Sequence, residues 1–93
     1  MTSPNVVKEY LTPQQTYKVL TMVYADWAAR HDVADAVTKE QDDGSPDWQQ
    51  FHDLRLAEAL ESLREARVLL TGFTDVFRAA FPASYRTMTG GLS

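Results

Sequence analysis

The chain carries two long helical patterns separated by one break. Between Pro13 and about Gln41 there is neither Gly nor Pro, and apolar residues recur at three- and four-residue spacing. Leu20, Val23, Tyr24, Trp27 and Ala34 fall on one side; Met22, Ala25, Ala29, Val33 and Ala36 fall on a second, roughly opposite side. A helix with a single neighbour needs one apolar face. This one is therefore expected to be sandwiched, and its small residues suit close approach by another helix. Its start is well marked. Thr12 is a good N-cap, Pro13 suits the first helical position, and Gln15 completes a T-x-x-Q capping box. Asp26 with Arg30 and Asp35 with Lys39 are favourable i,i+4 pairs.

The break is Asp42-Asp43-Gly44-Ser45-Pro46-Asp47. Gly44 can take the left-handed conformation that ends a helix, Ser45 can cap the next one, and Pro46 can open it. So short a link predicts antiparallel neighbours. The second pattern runs from Pro46 to about Phe81, where Pro82 stops it. Leu56, Leu60, Leu63, Leu70, Phe77 and Phe81 form its stripe, with Arg67 set in the seam and Thr74 interrupting it. Beyond residue 68 the stripe widens to include Leu69, Phe73, Val76 and Ala80. Gly72 is its weak point, at about 1 kcal/mol relative to Ala, and predicts a kink or a break into a short third helix. Residues 1–11 show no clean helical period and read as an extended arm; residues 83–93 read as a flexible tail. The expected fold class is all-α: an antiparallel helical hairpin over residues 12–82 between an arm and a tail.

Length changes this picture. A domain of 93 residues buries about 60–65% of its unfolded surface, so a second chain is a common supplement. A bare two-helix hairpin leaves much of both apolar faces wet. A homodimer completing a four-helix bundle is expected, with Met22, Ala25, Ala29, Val33, Ala36, Phe73 and Phe77 in the self-interface; a heteromeric partner is the alternative.

The net charge of −4 is unevenly placed. Asp26, Asp32, Asp35, Glu40, Asp42, Asp43 and Asp47 face only Arg30 and Lys39 in residues 26–47, whereas residues 55–86 carry five arginines against four acids. A basic nucleic-acid-binding face is disfavoured. A second partner surface is expected at the acidic end, formed by Asp32, Asp35, Asp42, Asp43 and Trp48. No apolar run approaches the ~20 residues of a membrane span. The N-terminus has no signal-peptide pattern, so a cytoplasmic location is the default expectation. There is no cysteine, which removes thiolate chemistry and disulfides.

Candidate chemistry adds little. His31 and His52 are the only histidines, and neither belongs to a recognised metal-ligand spacing. Glu58 and Glu61 form an E-x-x-E, followed by Glu65. This is similar to the all-α nucleotide pyrophosphohydrolases, which hold Mg²⁺ with a further E-x-x-D downstream; here Gly72 stands three before Asp75. An EF-hand loop with Gly44 at its sixth position would begin at Lys39, which cannot ligate Ca²⁺. There is neither a phosphate-cradling Gly-rich loop nor a Ser-centred elbow. No catalytic residue, cofactor or metal is predicted. The favoured class is a non-enzymatic protein–protein interaction module: an adaptor, assembly factor or regulator. The alternative is a small acidic inhibitor or mimic, phage-borne or antitoxin-like, that covers a basic surface. Less favoured are a Mg-dependent nucleotide hydrolase and a leaderless secreted helical hairpin. The helix–turn–helix layout is similar to small secreted proteins with a Trp-x-Gly turn, but this turn reads Gly44-Ser-Pro-Asp-Trp48.

Overall fold

A computed structural model of the protein describes residues 3–90. Among them it is all-helical: α1 (Pro4–Tyr10), α2 (Pro13–Thr38), α3 (Trp48–Ala80) and α4 (Pro82–Met88). The two long helices pack antiparallel along most of their length.

Both ends differ from the sequence expectation. The arm is helical over Pro4–Tyr10. The Ser3 hydroxyl accepts from the Val6 amide at 3.3 Å, Pro4 opens the helix, and α1 lies on α3 with Val7 buried. Seven residues with one buried side chain are too few to display a helical period. Pro82–Met88 form α4, so the tail expectation is corrected over residues 83–88. Pro82 ends α3 and also serves as the first residue of α4, where its missing N–H costs nothing. Residues 1–2 of the arm and 91–93 of the tail lie outside the described residues.

α2 begins as its capping box dictates. The Thr12 hydroxyl accepts from the Gln15 amide at 3.1 Å, and the Gln15 carbonyl oxygen accepts from the Thr12 amide at 2.9 Å. α2 ends at Thr38, short of Gln41, because the chain turns into a polar loop. There Asp42 and Asp43 accept from the amides of Gly44 (2.8 Å) and Ser45 (2.9 Å), and Gly44 takes φ +84°. Asp47, not Ser45, is the N-cap residue of α3; Ser45 contributes only its carbonyl, 3.2 Å from the Trp48 amide. α3 is one helix through Gly72.

The α2–α3 seam follows a three–four alternation. Leu20, Val23, Trp27, Arg30, Ala34 and Val37 line it on α2. His52, Leu56, Ala59, Leu63, Ala66, Leu70, Phe73, Phe77 and Ala80 line it on α3, and none of these residues is exposed. The register runs through Ala59 and Ala66, so Leu60 is displaced from the seam and is 50% exposed. Towards the turn the buried seam residues are Ala34 and Ala59, and polar staples join the helices. Arg30 donates to the Ser62 carbonyl (3.1 Å), the His52 Nε2–H donates to the Val37 carbonyl (2.9 Å), and Arg55 pairs with Glu40.

At the opposite end the core is aromatic. Phe77 is fully buried, with edge-to-face contacts to Tyr17, Phe81 and Tyr85 at centroid separations of 6.5, 6.4 and 5.4 Å. Leu70, Phe73 and Met88 pack around this cluster. This corrects the expected self-interface. Phe77 belongs to the chain's own core and presents no surface to a partner, because α4 folds back over the apolar end of the hairpin; Phe73 packs against the same cluster.

The protein is a thin rod, 56 × 26 × 17 Å. Its radius of gyration is 17.7 Å, against about 12 Å for a compact domain of this length. It exposes 6806 Å², against about 5,400 Å² for a compact monomer of this mass.

Candidate functional site

One broad side of the rod carries a continuous cleft. α2 lines it with Trp27 and His31, and α3 with Leu60, Leu63, Arg64, Arg67, Leu70 and Thr71. Its volume is about 610 Å³. The spacing explains the lining. Trp27 and His31 are four residues apart on α2, and Leu60, Arg64, Arg67 and Thr71 step three or four residues along α3, so each set shares a helix face. Tyr24, Trp27 and His31 form a row of rings with centroid separations of 5.8 and 5.4 Å. Past Leu70 the cleft continues into a second trough of about 410 Å³ beneath α4, lined by Tyr17, Leu20, Tyr24, Thr74, Tyr85 and Met88 among others.

The cleft carries two positive charges, Arg64 and Arg67. Arg30, Arg55 and Arg78 each hold an acid, namely Asp26 at 3.2 Å, Glu40, and Asp75. Among the described residues Arg64 and Arg67 are exposed and, like Arg86, form no ion pair. The residues three and four away from Arg67 on either side are Leu63, Arg64, Leu70 and Thr71, so its own helix offers it no carboxylate. Trp27 Nε1 is buried without an acceptor. Rings, leucines and two uncommitted guanidiniums suit an apolar segment that bears carboxylates.

Met22, Ala25, Ala29, Val33 and Ala36 form an exposed strip on α2; Met22 is 64% and Val33 57% exposed. Ala29 and Val33 border only a shallow dip of about 170 Å³ beside Ala59 and Ser62.

At the acidic end, Asp32, Asp35, Asp42 and Asp43 are all exposed. The Asp35 carboxylate accepts from Lys39 Nζ at 2.9 Å; that bond and the accompanying charge hold Asp35 below, and Lys39 above, their ordinary values. The Asp43 carboxyl is also lowered, first by the Ser45 amide and then by its hydroxyl. Trp48 stacks on His52 at 4.5 Å and is half-buried, so it is committed to the fold.

The structure does not unite the two histidines. His31 lines the cleft, and His52 caps the end of α2 through the Val37 carbonyl. Glu58, Glu61 and Glu65 are exposed on α3. Among the described residues no three His, Asp or Glu side chains gather as a metal would require, and no helix is long and apolar enough to cross a membrane. Sequence reasoning placed Arg67 and Leu60 on the α3 stripe but missed the cleft. The ring row at Tyr24, Trp27 and His31, at i, i+3 and i+7, was the available signal.

No protein-family model matches the chain, and neither a curated protein nor a solved structure resembles it.

Proposed function

We propose that this protein is a non-enzymatic protein–protein interaction module whose working surface is the α2–α3 cleft. The observation that carries this reading is an open cleft lined by Trp27, Leu60, Leu63 and Leu70 together with two exposed arginines that form no ion pair among the described residues. Arg is enriched at binding hot spots, and a docked carboxylate would give each guanidinium a charge-assisted partner. The uncovered surface of the thin rod supports the same reading.

The test is a photo-crosslinking residue at Leu60, with Gln14 as a control outside the cleft, in cells that make the protein. An adduct from Leu60 that is absent from Gln14 and weakened by Arg64→Glu with Arg67→Glu is expected. No adduct from any cleft position would overturn the reading.

A second reading, an acidic inhibitor that covers a basic surface, draws on the exposed Asp32, Asp35, Asp42 and Asp43. An adduct from Gln41 that vanishes when these four aspartates become asparagines would favour it over the cleft.

A further inference from the structure

We infer that the occupant of the cleft is a second copy of this chain, lying antiparallel on a two-fold axis through Leu60, with Asp53 of each copy paired to Arg67 of the other. The inference rests on the cleft reading above and names its partner.

The argument starts from spacing. Asp53, Leu60 and Arg67 recur at seven-residue intervals on α3. Seven residues are close to two helical turns, so the three share one line along the helix, drifting by about 20° per interval. Leu60 and Arg67 both line the cleft. Asp53 continues the line towards the turn; its side chain is 64% exposed and among the described residues holds only Gln49 at 2.8 Å and a distant His52 at 4.0 Å.

A two-fold axis perpendicular to α3 reverses the helix and maps one point onto itself. With that point at Leu60, the two leucines meet each other. Asp53 and Arg67 stand equally far from Leu60, about 10 Å along the axis on either side. Each Asp53 therefore meets the Arg67 that lacks an acid at home, and the contact is made twice. Arg64, one turn nearer the axis, flanks the same carboxylate. A parallel arrangement would set Asp53 against Asp53 and Arg67 against Arg67, so the charges select the antiparallel one.

The size fits as well. Overlap limited by the turn end of each α3 covers about 36 Å of two helices about 10 Å wide, a footprint of ~700 Å² per copy. A standard specific interface buries about 800 Å² per partner. The protein's surface exceeds that of a compact monomer by roughly 1,400 Å², so covering this footprint removes about half of the excess.

The experiment is light scattering on a size-exclusion column with the full chain at several concentrations, repeated with Arg67→Asp, Asp53→Arg and the double charge swap. All substituted positions are exposed, and far-UV circular dichroism checks that each variant is folded. The wild type is expected at twice the 10.5 kDa chain mass. Each single reversal should weaken self-association about tenfold or more, and the double swap should restore it. Self-association of the wild type should also weaken as salt rises from 0.05 to about 0.5 M. A wild type that stays at 10.5 kDa, single variants that dimerise as tightly as the wild type, or a double swap that fails to restore the dimer would each overturn the inference. If the Leu60 crosslinker meanwhile captures a different protein, the interaction reading stands and only its self-pairing falls; if it captures nothing, both fall.

Discussion

Phe77→Ala is expected to detach α4 as well as weaken the core. Phe77 is fully buried and makes three edge-to-face ring contacts, one of them to Tyr85, the buried residue of α4. Truncating a buried Phe to Ala costs about 3–5 kcal/mol. The upper part of that range applies because each aromatic pair adds about 0.5–1.5 kcal/mol beyond area burial. A chain of this length has about 5–14 kcal/mol of total stability, so the loss is a third or more of it. At about 4–8 °C per kcal/mol, a loss in the upper part of that range should lower the melting midpoint by roughly 15–40 °C. Phe77→Leu, which keeps most of the volume, should cost only about 1–2 kcal/mol. The assay is urea unfolding followed by circular dichroism, at one fixed protein concentration because a dimer's stability depends on it. Amide exchange across Pro82–Met88 reads the docking of α4 separately. A loss below about 1 kcal/mol for Phe77→Ala, with α4 exchange unchanged, would refute the core assignment.

Three further outcomes follow from local geometry. Gly72→Ala should raise stability by about 0.5–1 kcal/mol, because Gly72 lies in a helix and an added Cβ meets nothing within 4 Å; a loss in thermal melting would mean that α3 breaks there. Thr12→Ala removes half of the capping box and should cost about 1 kcal/mol in the same assay, while Thr38→Ala, which removes only an exposed side chain's bond to the Ala34 carbonyl within the last turn of α2, should change little. By carboxyl-detected NMR titration Asp43 should titrate below its ordinary value of 3.8, and Ser45→Ala should raise it only partway, since the backbone amide is the larger cause. A carboxyl lowered by folding contributes stability above its unfolded value and loses it as pH falls through the folded one. The loop's contribution therefore fades only below about pH 4; an Asp43 that titrates above 3.8 would contradict the turn.

The hairpin was legible because its signals are local and repeated: a capping box, two long stretches at helical spacing, and a Gly-containing turn. The two short helices were not legible. α1 buries one residue, Val7, against the sequence-distant α3, and α4 is fixed by contact with Phe77, from which Pro82 separates it. A proline read as a stop is equally a start, and only packing decides between them. The self-interface expectation failed at Phe77 for the same reason, since the cover for the Phe-rich end came from the segment read as a tail. The cleft was half legible. Arg67 was recognisable as a charge in an apolar seam, but register decides whether such a residue is buried, paired or left open. That register turns on Ala59 and Ala66 facing α2 in place of Leu60.

The absence of cysteine makes one measurement direct. A single cysteine on a two-fold axis meets its own copy, and a disulfide forms only where the two Cβ atoms come within about 3.5–4.5 Å. Leu60→Cys and, separately, Val33→Cys on the outer strip of α2 are oxidised mildly and resolved on a non-reducing gel. The account predicts that Leu60→Cys converts to a covalent dimer while Val33→Cys remains a monomer. Crosslinking through Val33 with none through Leu60 would contradict it and place the interface on the opposite side of α2.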